Sequence, residues 1–137
     1  YAVDNKTLQS GSIGAHVRHI LEHYTSVLSG VNEINYDVRK RDKVLEQEPN
    51  QATKAIDQIC CLLEQVQADK PLKVICSTNT QLEPSASPSS LSRELSFLHS
   101  HTTHHMAIIR LLSLSLGVSV SPEFGKAAST KKFEQNV

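Results

Sequence analysis

Between Ser12 and Ser29 apolar side chains fall at Ile13, Val17, Ile20, Tyr24 and Val27, with Val31 continuing the series, in alternating steps of four and three. With about 3.6 residues per turn, that spacing lines them along one stripe of an α-helix. Ser10 or Ser12 can cap its start, and Gly30 stands where such a helix would stop in the left-handed conformation. The polar stretch from Asn32 to Asn50 holds Tyr36-Asp37-Val38-Arg39-Lys40-Arg41-Asp42, whose charges alternate in sign, and Pro49 closes it. It reads as a loop with at most one short helical turn. A second helix is predicted from Gln51 to Asp69. Its buried face is Ala52, Ala55, Ile56, Ile59, Leu62, Leu63 and Val66, and Pro71 blocks its continuation.

Residues 70 to 87 change character. Leu72-Lys73-Val74-Ile75-Cys76 reads as a short extended segment that could pair with the region from Gln81 to Glu83. Pro84 to Ser90 is rich in Pro and Ser and reads as a bridge into a helix, with Ser87 as N-cap and Pro88 in the first turn. The third helix, Pro88 to Leu116, carries an inner stripe of Leu91, Leu95, Leu98, Thr102, His105, Ile109, Leu112 and Leu116, and Gly117 ends it. The tail over 118–137 reads as irregular. The expected fold is therefore all-α, a single helical domain over 1–137.

Composition narrows the functional classes. The 137 residues carry 14 Lys+Arg and 14 Asp+Glu, and this balance argues against a nucleic-acid clamp or a polybasic membrane binder. Arg39-Lys40-Arg41 does not change this, because Asp37, Asp42 and Glu33 stand close enough to neutralise it. Aromatic residues are 4% with no Trp, so the core must come mainly from Leu, Ile and Val. The longest apolar run, Met106 to Leu116, is broken by Arg110, Ser113 and Ser115, too short and too polar for a membrane span. Three cysteines, Cys60 and Cys61 adjacent and Cys76 apart, read as reduced thiols of a cytoplasmic protein, with the adjacent pair half-buried and structural. Residue 1 is Tyr and the single Met is Met106, so the chain reads as processed or as a fragment.

The seven histidines fall in two clusters: His16, His19 and His23 on the first helix, and His99, His101, His104 and His105 on the third. His101 and His105 are four apart, which places two imidazoles one turn apart on one helix face, able to hold one metal ion. A third imidazole from a facing helix would complete a three-histidine site with an open position, as in catalytic zinc, nickel or iron centres. A lone histidine on an apolar face is ordinarily a hydrogen-bonded core residue, but two histidine-rich helices with none elsewhere favour the metal. At about 100° per residue, His16 and His23 lie nearer the apolar stripe of the first helix than His19. His16, His99 and His104 read as solvated or supporting.

Ser12-Ile13-Gly14-Ala15-His16-Val17-Arg18-His19-Ile20 and Ser100-His101-Thr102-Thr103-His104-His105, with Arg93-Glu94-Leu95-Ser96-Phe97-Leu98 leading into the second motif, resemble the DinB/YfiT-like superfamily of metal-binding four-helix bundles. The resemblance covers most of residues 10–112. It implies a four-helix bundle and a divalent metal held by His19, His101 and His105. Because only about ten residues precede the first helix, it also implies that the bundle's own first helix is missing here or supplied by a partner, most simply in a homodimer.

The implied function is metal-dependent transfer of a low-molecular-weight thiol to a small electrophile, or hydrolysis. A metal on three neutral imidazoles keeps its charge and can lower the pKa of a water or thiol that it binds. The sequence identifies no general base and leaves the catalytic residues unknown; Glu22, His23 and Glu94 are within reach by helical spacing at best. The alternative is a non-catalytic oligomeric or interaction protein with a structural or vestigial metal site. No nucleic acid or membrane partner is expected.

Overall fold

The computed structural model describes residues 1–2, 11–77 and 83–136. Helix α1 (Ile13–Leu28) is followed by strand β1 (Glu33–Asn35), the short α2 (Lys43–Gln47), α3 (Pro49–Glu64), β2 (Pro71–Cys76), β3 (Ser85–Ser90), the long α4 (Leu91–Ser115) and α5 (Ala128–Glu134). The strands form one mixed sheet in the order β1-β2-β3, with β1 parallel and β3 antiparallel to β2. The all-α expectation, and with it the DinB/YfiT-like helical bundle, is corrected by this sheet.

The physical reason lies in β2. Leu72 and Val74 are buried while Lys73 between them is exposed, the period-two alternation of a strand with one face on the core. An unpaired main chain beside a core would leave donors and acceptors unsatisfied, and both neighbours answer that need. Ser85–Ser90 supplies the antiparallel partner in the register Pro71↔Ser90 to Cys76↔Ser85. Its Ser- and Pro-rich composition reads as turn, but at a sheet edge Pro88 needs no ladder donor. The expected partner near Gln81 falls partly outside the described residues, and Glu83 is not in a strand. The β3 assignment also shifts the next helix start. Ser90, not Ser87, is the N-cap of α4, and its hydroxyl accepts from the Arg93 amide. At α1 the cap is Ser12, whose Oγ accepts from the Ala15 amide at 3.0 Å; Ser10 lies outside the described residues.

α1 is the central element, packed against α2, α3 and α4. A helix surrounded on three sides cannot bury a single stripe. Gly14, Leu21, Glu22, His23 and Val27 are its buried residues, whereas Val31 is exposed. Gly14 permits the close approach of α2, since a Cβ there would collide with the Glu46 carbonyl oxygen. Against one side of α1, Val27 joins Ile34, Leu72, Leu91 and Leu98 in a core that includes the sheet. Against another, Leu21 packs with Ala52 and Ile59 of α3. The contact face of α3 is narrower than expected, leaving Ile56, Leu62 and Val66 exposed, and the helix ends at Glu64, well before Pro71. The polar stretch holds both β1 and α2, and the tail holds α5. Cys60 and Cys61 are exposed, not half-buried.

Candidate metal centre

α1 and α4 lie side by side, and their histidines meet at the seam. The rings of His19, His101 and His105 form a compact triangle, with centroids 5.0, 4.6 and 4.5 Å apart. His19 Nε2 lies 3.0 Å from His101 Nε2. At that distance two bare lone pairs would repel, so one proton or one cation must sit between the nitrogens. Two imidazole nitrogens on one tetrahedral ion at 2.0–2.1 Å stand roughly 3.3 Å apart, close to the separation observed. That one pair of nitrogens therefore has the spacing that a divalent ion between them would take. The nitrogens of His19, His23 and His101 also lie within 4.8 Å of one another.

His16 and His23 set how the others are presented. His16 Nδ1 stands 2.9 Å from His105 Nδ1, so His16 is part of the cluster and not a solvated bystander. This contact occupies one nitrogen of His105 and leaves Nε2 for a ligand role. His23 Nδ1 lies 2.7 Å from the His19 carbonyl oxygen, an acceptor, and so must carry the ring proton. Its Nε2 then accepts from Arg39 Nη1 at 2.9 Å. With one nitrogen donating and the other accepting, His23 has no lone pair to spare while Arg39 stays in place. His104 is exposed, with its ring 5.3 Å from that of His105, and His99 is exposed.

Burial keeps the cluster neutral. It pushes His19 down to about 3, assisted by His23 and Arg39, and His105 down to about 4, assisted by His101 and His16. His23 falls to about 4 through burial and Arg39, partly offset by its bond to the His19 carbonyl. His101 is lowered by burial, His104 and Arg39. Neutral imidazole is the metal-binding form.

A second layer braces these rings. Tyr36 stacks on His23 at 5.1 Å, and Phe97 stacks on His101 at 5.4 Å. The Tyr36 hydroxyl donates to Glu94 Oε2 at 2.6 Å, and Ser89 donates to Glu94 Oε1 at 2.5 Å. Burial and the bond to Glu94 raise the Tyr36 pKa, so the phenol stays protonated. Glu94 is fully buried and committed to these donors, so it braces the site and is not an acid–base group. Glu22 is likewise committed, with Oε1 accepting from the Asp42 amide at 2.6 Å. Sequence reasoning missed the roles of Glu94 and Tyr36. The spacing Leu91–Glu94–Leu98, which places a carboxylate on the inner stripe, was the available signal.

Arg39 is turned inward, leaving its side chain 15% exposed. Lys40 pairs with Asp42 and Glu33 pairs with Lys73, so the basic run is not a uniform surface patch. Among the described residues no helix is long and apolar enough to cross a membrane.

No family model matches the chain, and no solved structure matches it. The chain is similar to FK506-binding protein 5 of Rhizopus delemar (strain RA 99-880 / ATCC MYA-4621 / FGSC 9543 / NRRL 43880), at 32% identity over 104 residues. The match takes in 73% of this chain but only 27% of that protein. The relative carries an FK506-binding name and not a DinB-like one, so the DinB-like and YfiT-like descriptions are set aside together with the helical bundle.

Proposed function

We propose that the chain binds a divalent metal, zinc, nickel or iron, through His19, His101 and His105, and supports transfer of a low-molecular-weight thiol to a small electrophile, or hydrolysis of one. The observation that carries this reading is the 3.0 Å approach of His19 Nε2 to His101 Nε2 inside a triangle closed by His105. A bound divalent ion would supply Lewis-acid charge at neutral pH. The chain's own residues do the rest. His16 holds His105 by one nitrogen, Phe97 fixes the plane of His101, and the backbone of α1 fixes the tautomer of His23. Three free cysteines support a reducing, cytoplasmic setting.

A second reading, a metal-stabilised homodimer without catalysis, draws on a different feature. Leu111, Leu114, Leu116 and Val118 are exposed together around the end of α4, between 40% and 58% each. An apolar strip of this kind suits a second copy of the chain. FK506 binding forms no part of the proposal, because the matched segment is 27% of the relative that bears the name.

Metal analysis of protein purified without a histidine tag, followed by a thiol-conjugation assay with a generic electrophile, tests these readings. One equivalent of metal with conjugation supports the enzyme. One equivalent without conjugation, on a dimer, supports the second reading. No stoichiometric metal refutes both.

A further inference from the structure

We propose that Arg39 is a positioning residue of the histidine cluster: it holds His23 off a bound ion and so keeps one coordination position open for an incoming ligand. The inference rests on the metal reading and deepens it, since it concerns what limits that site to three imidazoles.

The rings of the cluster make two triangles on one edge. His19 and His101, with centroids 5.0 Å apart, are that edge. His105 closes one triangle at 4.6 and 4.5 Å, and His23 closes the other at 4.3 and 4.8 Å. Distance alone does not separate His23 from His105 as a ligand. His23 is buried, and it has the tautomer that a ligand needs. Its Nδ1 donates to the His19 carbonyl oxygen at 2.7 Å, the kind of partner that metal-binding imidazoles ordinarily have, and this leaves the Nε2 lone pair as its ligand atom.

What distinguishes the two rings is the group each one meets. His105 Nδ1 meets another imidazole, His16, at 2.9 Å. His23 Nε2 instead accepts from Arg39 Nη1 at 2.9 Å. The guanidinium thus occupies the lone pair that an ion would need, and its charge repels a second cation there. Arg39 comes from residues 36–42, which belong to neither helix nor strand, so its partners place it. One is His23, and the other is Glu22, whose Oε2 stands 3.8 Å from Arg39 Nε and whose Oε1 is held by the Asp42 amide. Three protein ligands with an open fourth position are the pattern of catalytic zinc, whereas a fourth imidazole would close the site as in structural zinc.

The test is cobalt titration of the full, tag-free chain, with azide added to probe the open position through the visible absorption. Wild type should bind one equivalent and respond to azide. Arg39→Met, which removes the donor and keeps the bulk, should bind cobalt at least about tenfold more tightly and lose the azide response. Arg39→Lys, which keeps a donor and the charge, should behave as wild type. Adding His23→Phe to Arg39→Met should abolish most of the gain and restore the azide response, which separates a fourth ligand from the mere loss of a positive charge. His23→Phe alone should leave cobalt binding and the azide response unchanged, and it decides the matter if Arg39→Met fails to fold. A gain that survives His23→Phe, an azide response retained in Arg39→Met, or loss of cobalt binding in His23→Phe alone would each overturn the proposal while wild-type binding keeps the metal reading standing. Absence of cobalt binding by wild type would overturn both.

Discussion

Replacing Glu94 by Gln keeps the shape of the side chain and removes its charge. The carboxylate is fully buried and accepts from Tyr36 at 2.6 Å, Ser89 at 2.5 Å and Arg93 at 2.8 Å. Hydrogen bonds to an ionised acceptor contribute about 1.5–3 kcal/mol each, against about 1 kcal/mol for neutral pairs. The Arg93 side chain is 65% exposed, so solvent screens its share and the two hydroxyls carry most of the effect. An amide keeps one acceptor oxygen and makes the other hydroxyl turn round, so the expected loss is about 2–3 kcal/mol. For a domain of this size that is a fall in Tm of roughly 6–12 °C. The pH dependence supplies a sharper check. Burial alone would raise the Glu94 pKa, but bonds from Ser89, Tyr36 and Arg93 outweigh it and hold the carboxyl below its ordinary 4.5. A depressed carboxyl pKa contributes stability above the unfolded value and loses it as pH falls through the folded value. The gap between wild type and Glu94→Gln, measured by urea denaturation, should therefore stay constant from pH 8 to about 5.5 and narrow below about 4. A variant within about 0.5 kcal/mol of wild type at pH 7, or a gap that persists undiminished to pH 3, would refute the reasoning.

Other consequences follow from the same packing. His19, His23 and His105 have folded values far below the ordinary 6.5, so the neutral cluster is stable above that value and loses stability as pH falls from 6.5 toward 4; a flat urea midpoint across that window would contradict it. Gly14→Ala would drive a Cβ into the Glu46 carbonyl and the Tyr1 ring, and should cost about 2 kcal/mol or more in thermal unfolding. Leu98→Ala, at a residue 1% exposed between the sheet and α1, should cost about 2–5 kcal/mol by the same measurement.

Both histidine-bearing helices were legible because each carries sustained apolar spacing, and Leu72–Cys76, a short apolar run behind Pro71, read as a possible extended segment and lies in β2. The sheet as a whole was not. Ser85–Ser90 has no apolar pattern of its own, and its extended state comes from pairing with β2, a partner that local sequence does not name. The three-sided burial of α1 likewise follows from where α2 and α3 dock, which is why Glu22 is buried and Val31 is not. At the site, the helical spacing of His101 and His105 was plain, and the meeting of His19 with them rested on the helices packing as they do. His16 read as solvated or supporting, and only the packing of α1 on α4 brings its ring against His105. Arg39 was hidden inside a charge run, where nothing local distinguishes the inward cation from its neighbours Lys40 and Arg41.

The central claim is that His19, His101 and His105 hold one divalent ion. Cobalt titration of tag-free protein, followed by its visible absorption, tests it most directly. One equivalent per chain is expected, with loss of that binding in His101→Ala, where two remaining imidazoles hold an ion poorly, and near-normal binding in His104→Ala, whose ring lies on the exposed side. No stoichiometric binding by the wild-type chain, or equal loss in both variants, would contradict it.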